Sequence, residues 1–309
     1  VTRLQLGISG APGKVRPVAP RNEKAFWKLL VALFKLRVVM LLLLAAVAGA
    51  FLAANGWPGS SNLAVLLVSG GLAAAGASAI NQYLEQALDA RMERTRQRPL
   101  ASGALSRPSW VPFVGLLMIA LPSLALLSFN AALSVFLVTG AVIYIWVYTI
   151  WLKPRTPLNI VIGGAAGSVA VLSGSAAAGA WSEPGALGLA LLVFLWTPTH
   201  FWSLAIAYRD DYARGGFPML PVQTSPRAAA YWVLLHAAGA SIVALALMAH
   251  PALSLVYAVP VGVATTCLLV LNLRLIREPS RSRALTLFHA SNVYLALVML
   301  TIMLDAVLS

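Results

Sequence analysis

Charge is what this sequence has least of. Only 10% of its 309 residues are Asp, Glu, Lys or Arg, against about 25% in ordinary soluble domains. Acids are the scarcer sign, with 9 Asp and Glu against 22 Lys and Arg. Cysteine occurs once, as Cys267 in the run VATTCLLVL. That excludes a disulfide framework within one chain and reads as a small apolar packing residue. A chain that is 60% hydrophobic, with mean hydropathy +0.84, buries its outer surface in lipid as well as in its own core. The net charge of +13 would point to nucleic acid on a soluble domain. Here the basic residues lie between apolar runs, so topology explains them and a nucleic-acid partner is excluded.

What the sequence does have is apolar stretches of about 20 residues, the length that crosses a bilayer. There are nine: residues 36–55, 62–84, 109–128, 131–152, 158–180, 185–207, 229–249, 252–273 and 285–308. Alternate breaks carry the turn chemistry of GWPGSSN, SFNA, WSEPG and HPALS, where Pro and Gly punctuate the chain. The other breaks hold the charge. Arg3, Lys14, Arg16, Arg21, Lys24, Lys28, Lys35 and Arg37 precede or open the first stretch. Arg91, Arg94, Arg96, Arg98 and Arg107 follow the second, and Lys153 and Arg155 the fourth. Arg209, Arg214 and Arg227 follow the sixth, and Arg274, Arg277, Arg281 and Arg283 the eighth. Nine spans put all of these on one side, and cytoplasmic loops carry the Lys/Arg excess. The expected architecture is an all-α polytopic membrane bundle of about nine transmembrane helices, with a cytoplasmic N-terminus. Residues 1–25 read as a flexible cytoplasmic tail without the apolar core of a secretory signal, and residues 26–309 as one intramembrane domain.

Three segments carry chemistry. In NQYLEQALDARMERTRQRPLASGALS, residues 81–106, Asn81, Glu85 and Asp89 are four apart, which places them on one helix face. Three oxygen-bearing side chains on one stripe suit a hard cation such as Mg2+. The arginines that follow, Arg94 and Arg98 among them, suit a metal-bound diphosphate. Acids entering a span are expensive and usually functional, whereas any single arginine also fits a snorkelling helix end. The second segment, residues 197–221, repeats the design: Asp210 and Asp211 stand beside Arg209, Tyr212 and Arg214. Two acidic clusters at one mouth could hold two metals or bracket one diphosphate. His200 lies inside the sixth span, as a packing residue or as a substrate contact. In the third segment, residues 148–174, Lys153 and Arg155 supply diphosphate partners and Asn159 opens a span, where a helix N-terminus favours anions. Gly163, Gly164 and Gly167 let a helix or a flat ligand approach the backbone.

Together these residues resemble the UbiA-type intramembrane prenyltransferases, and within them the haem-farnesylating branch. Asn81–Gly103 is similar to that branch's first acidic motif and the RTRxRPLxSG that follows it. Residues 148–167 resemble its YTxxLKxxTxxNIxIGGxAG segment, and residues 196–221 its WTPxHFWxLA and basic–DDY–GxPMLPV stretches. Lys35–Arg37 resembles the basic pair that opens the first span. Phe288–Leu295, with Ser291 and Tyr294, resembles the FxxSxxYL of the last. Glu85 stands where many members have Asp, keeping the charge with a longer reach. Asp210 and Asp211 are adjacent, without an acid one turn earlier at Ala207, a feature shared with the haem-type members. Ser168 begins a Ser-Val-Ala-Val stretch where those members often have an Ala–Pro-containing one.

The resemblance implies transfer of a farnesyl group from farnesyl diphosphate to the 2-vinyl group of haem B, with haem B as substrate and Mg2+ as cofactor. It implies Asn81, Glu85, Asp89, Asp210 and Asp211 as Mg2+ ligands. Lys35, Arg94, Arg98, Lys153, Arg155 and Asn159 become diphosphate contacts, and His200, Tyr212 and Tyr294 haem-side residues. Expected surroundings are the lipid bilayer of the cell's inner (cytoplasmic) membrane, or the mitochondrial inner membrane in a eukaryote. Haem A synthase or oxidase assembly factors are the expected protein partners. Two rivals remain: prenyl transfer to a quinone precursor or another aromatic acceptor, and transport of anionic metabolites. Transporters usually place such groups at the midplane, whereas here they cluster at span ends.

Overall fold

A computed structural model describes residues 23–105 and 107–308. Most of the expected tail and its basic residues Arg3, Lys14, Arg16 and Arg21 lie outside the described residues. Among those described there is no strand. The chain forms α1 (Glu23–Leu33), α2 (Leu36–Ala54), α3 (Ser60–Asp89), α4 (Trp110–Leu126) and α5 (Ala131–Val142), which passes without a break into a π-helical stretch, Ile143–Leu152. Next come α6 (Asn159–Gly163), α7 (Ala165–Ala177), α8 (Pro184–Ala207), α9 (Arg209–Arg214) and α10 (Leu220–Gln223). The last three are α11 (Pro226–Ala246), α12 (Leu255–Arg277) and α13 (Arg281–Leu308).

Among the described residues, 8 helical segments are long and apolar enough to cross a membrane, and α4, at 17 residues, is shorter. Each falls on one of the expected stretches. Caps set several starts: Asn130 Oδ1 accepts from the Leu133 N–H at 3.0 Å, and Ser225 Oγ from that of Ala228 at 3.1 Å. Pro184 and Pro226 occupy first-turn positions, where the missing N–H costs nothing. Large apolar side chains such as Phe113, Leu121, Val135, Ile242 and Val293 point outward, as a lipid-facing surface requires.

α8 sits nearest the centre, with 67% of an apolar 18-residue stretch of it buried, and packs against α2, α7, α11 and α13. Small residues make the tightest crossings. A Cβ on Gly174 of α7 would lie 1.6 Å from the Ala46 carbonyl oxygen of α2. A Cβ on Gly76 of α3 would lie 2.5 Å from the Gly115 carbonyl oxygen of α4. Two backbones touch at each place, the usual way helices associate where lipid removes the hydrophobic drive.

Two local features depart from regular spans. The Lys153 N–H bonds the Tyr148 carbonyl at 2.9 Å, five residues back, which widens the turn. The Thr149 hydroxyl donates to the Tyr144 carbonyl at 2.8 Å, filling the same widened register. The stretch expected as one span over 158–180 is broken at Gly164 into α6 and α7. There Tyr148 presses on Gly163 and Thr197 on Gly164, so closely that a Cβ would lie 2.5 and 3.0 Å away.

Candidate active site

The α3 helix continues past residue 84 to Asp89, and this extension carries both acids of the stripe. Asn81, Glu85 and Asp89 face inward, with 1%, 4% and 1% of their surface exposed. Buried carboxylates persist only when paired, and each polar group has a partner from elsewhere in the chain. Lys35, just before α2, donates from Nζ to Asn81 Oδ1 at 2.5 Å and to the Tyr144 hydroxyl at 3.2 Å. Lys153, at the end of the π stretch, donates to Glu85 Oε1 at 2.5 Å. Arg98, from the loop after α3, donates to both Asp89 oxygens at 2.9 and 2.7 Å. Three basic side chains thus face two carboxylates. Burial of its ammonium, then the charge of Arg98, push Lys35 down to about 7. Lys153 adds to this, and Glu85 and Asp89 oppose it.

The π stretch helps aim these groups. Asn81 Nδ2 donates to Thr149 Oγ1 at 2.9 Å, tying the stripe to the widened turn. Beyond it, the Lys153 ammonium lies 4.6 Å from the Phe217 ring centre and 5.5 Å from that of Tyr148. Aromatic faces attract a cation and hold it without supplying a competing anion.

The second acidic motif meets the first, though not as a matching acidic wall. Asp211 is buried and turned toward the loop after α3. Its Oδ1 accepts from the Glu93 N–H at 2.8 Å and from Arg214 at 2.8 Å, and its Oδ2 from the Arg94 N–H at 3.2 Å. Burial pushes the Asp211 carboxyl up, but those two N–H groups and Arg214 outweigh it and hold it below the usual carboxylate value. Arg94 donates to the Tyr212 hydroxyl at 3.2 Å and lies 5.5 Å over its ring. A Cβ on Gly215 would meet Met92 Sδ at 2.9 Å, so the two loops are in close contact. Asp210 is exposed. The oxygen set that could hold a hard cation is therefore Asn81, Glu85 and Asp89, two carboxylates and an amide, with waters and phosphate oxygens completing the shell of a bound Mg2+. Among the described residues no cluster of three acidic, His or Cys side chains is arranged to hold a metal.

The other expected site residues make no hydrogen bond to the acidic stripe among the described residues. Arg155 is exposed and caps the π stretch, donating to the Ile150 and Trp151 carbonyls at 2.8 and 2.7 Å. Asn159 is fully buried, donates to the Thr156 carbonyl at 2.5 Å, and leaves its Oδ1 without a partner. Tyr294 is buried between α12 and α13, with Thr265 Oγ1 at 3.5 Å from its hydroxyl. Tyr212 contacts Arg94 and the Phe217 ring. His200 lies between α8 and α13, stacked on Trp196 and Phe288. Sequence reasoning missed Tyr144, Thr149 and Phe217. The first two lie in and beside the YTIWLK segment, where only the conversion to π register reveals which side chains converge.

Comparisons with known proteins place the chain in a family. Protoheme IX farnesyltransferase of Metallosphaera sedula is 38% identical over 272 residues, covering 88% of this chain and 94% of that protein. Protoheme IX farnesyltransferase 2 of Paramagnetospirillum magneticum is 41% identical over 293 residues, covering 91% and 98%. The solved structure of a UbiA homologue from Archaeoglobus fulgidus bound to GPP and Mg2+ shares the fold, with a TM-score of 0.58 at 15% identity, covering 89% of this chain and 99% of that one. A model of the UbiA prenyltransferase family matches residues 42–297. That match spans most of the bundle and both acidic motifs, and with them the chain belongs to the UbiA prenyltransferase family.

Proposed function

We propose that this protein transfers a farnesyl group from farnesyl diphosphate to the 2-vinyl group of haem B, giving haem O. The observation that carries the proposal is the buried array of Asn81, Glu85 and Asp89 facing Lys35, Lys153 and Arg98. The relatives named protoheme IX farnesyltransferase support the acceptor. The one-sided placement of Lys and Arg supports a cytoplasmic mouth in the cell's cytoplasmic membrane.

Farnesyl diphosphate enters with its head group at the mouth and its tail among the apolar spans. Lys35, Lys153, Arg98 and Arg94 take the phosphate oxygens. The carbon–oxygen bond breaks with its electron pair leaving on the diphosphate, so negative charge grows where these cations already stand. Their attraction is stronger in the transition state than in the ground state, which is what lowers the barrier. Asn81, Glu85 and Asp89 would hold Mg2+, which would supply further neutralisation of the diphosphate. The terminal vinyl carbon of haem B bonds the farnesyl carbon that has lost its oxygen. Water then adds to the vinyl carbon next to the macrocycle and releases a proton, giving the hydroxyethylfarnesyl chain. Asp211 and Tyr212 position the loop that carries Arg94 and Arg98.

The test is incubation of the purified protein with Mg2+, farnesyl diphosphate and haem B, or with 4-hydroxybenzoate in place of haem B. Mass analysis should find farnesylated haem bearing one added water. Product from the benzoate alone would replace the haem reading with a quinone-precursor one.

A further inference from the structure

Between α8 and α13, away from the acidic mouth, the structure holds a histidine in an unusual state of readiness. The His200 ring is sandwiched between Trp196, at 4.6 Å between centres and 18° between planes, and Phe288, at 4.4 Å and 28°. Trp196 is itself fixed, donating from Nε1 to the Ser291 carbonyl at 2.8 Å. His200 Nδ1 lies 3.1 Å from Ser291 Oγ. The Ser291 hydroxyl also reaches the Phe288 carbonyl at 2.8 Å. With its one hydrogen given there, its oxygen accepts from Nδ1–H and Nε2 keeps its lone pair; that is the tautomer the proposal takes. No hydrogen bond among the described residues engages Nε2, and it is absent from the buried unpartnered atoms.

A neutral imidazole with Nδ1–H held by an oxygen and Nε2 free is the form that binds iron. A packing histidine in lipid would use both nitrogens or bury the spare one. A second observation lies toward the charged end of the same two helices. Arg281 is seven residues before Phe288, about 10 Å along α13, and its guanidinium lies 5.2 Å over the ring of Tyr208, the residue that follows α8. Arg281 makes no ion pair or hydrogen bond among the described residues. The α8–α13 seam thus offers an iron ligand at depth, aromatic faces beside it and a free cation at the polar end. Haem B presents matching chemistry: an open iron position, an apolar macrocycle and two propionates at one edge.

We infer that His200 binds the iron of haem B through Nε2, with Ser291 fixing its tautomer and Arg281 receiving a propionate. This rests on the proposed haem substrate and deepens it: the enzyme recognises the metal of its acceptor as well as the vinyl group. His200 is then a positioning residue, because the reacting carbons lie on the macrocycle edge.

The test uses the full chain, purified with a tag free of histidine, and ferrous haem B as the probe in resonance Raman spectroscopy. The wild-type complex should show an iron–histidine stretching band. The band should vanish in His200→Gly and return as an iron–imidazole band when imidazole is added, which shows that the variant is folded. Haem affinity should fall in His200→Gly by more than the roughly tenfold that loss of an outer-shell partner costs. Ser291→Ala should keep the band and lower its frequency. The other three histidines of the four in the chain, His236, His250 and His289, should be replaceable without effect on it. A bound wild-type haem without the band, a band that survives in His200→Gly, or an unmoved band in Ser291→Ala would overturn the inference. Farnesyl transfer measured in parallel separates the two claims. The band without product leaves the ligand standing and removes the reaction, whereas product without the band does the reverse.

Discussion

Lys153 and Glu85 are both buried, so removing either strands the other. Lys153→Ala should cost about 3 kcal/mol, the usual loss when one partner of a buried pair is deleted. It should show as a lower melting midpoint in detergent. The double variant Lys153→Ala with Glu85→Ala should regain most of that stability and remain inactive; a double variant as unstable as the single would refute the pairing. Asp211 gives a contrasting case. Its oxygens are taken by the Glu93 and Arg94 N–H groups and by Arg214. Asp211→Ala should raise the KM for farnesyl diphosphate about tenfold, the value of one charge-assisted hydrogen bond, and leave the Mg2+ titration midpoint in place. Asp210→Ala should change neither, and a midpoint that moves in Asp211→Ala would return this residue to the metal. The stripe of acids was legible because a four-residue spacing on a helix fixes one face. The aim of Asp211 was not, since it depends on how a loop more than a hundred positions earlier folds back. Arg155 escaped for a related reason: a basic residue after a span serves equally as a ligand or as a cap.

Elements were the most readable level. Length and apolarity alone locate a spanning helix, and the helices lie on the expected stretches. The irregularities were hidden, because ten apolar residues look the same in α and π registers. The break at Gly164 was hidden too, since it answers to Tyr148 and Thr197 pressing from other parts of the chain. Small residues were visible as packing signals without their partners. The structure supplies those, and a test with them. In Gly174→Ala the new Cβ would collide with the Ala46 carbonyl at 1.6 Å, and a backbone atom cannot swing aside. About 1–3 kcal/mol of overpacking strain should follow, seen as a lower thermal midpoint. At Gly262 nothing lies within 4 Å, so Gly262→Ala should match the wild type or exceed it slightly through helix propensity. Equal midpoints for the two variants would contradict the α2–α7 crossing.

Across the whole molecule, the exposed surface divides into an apolar belt and two polar ends of unequal charge. Cys267 faces outward in the middle of α12, so lipid should shield it from an aqueous maleimide. Ser102 and Ser182 are exposed at opposite ends of the bundle. Ser102→Cys should react with an impermeant maleimide only in inverted membrane vesicles, and Ser182→Cys only in right-side-out ones; the reverse pattern would turn the molecule over. The cations resting on the acids have a consequence at this scale as well. With Lys153 and Arg98 on Glu85 and Asp89, the idle mouth offers a lone divalent ion few unclaimed oxygens. A lone diphosphate would draw those cations off carboxylates that cannot tolerate solitude in a dry interior. Each guest would free what the other needs, so their affinities should be reciprocally coupled, with the metal–diphosphate complex bound in preference to either component.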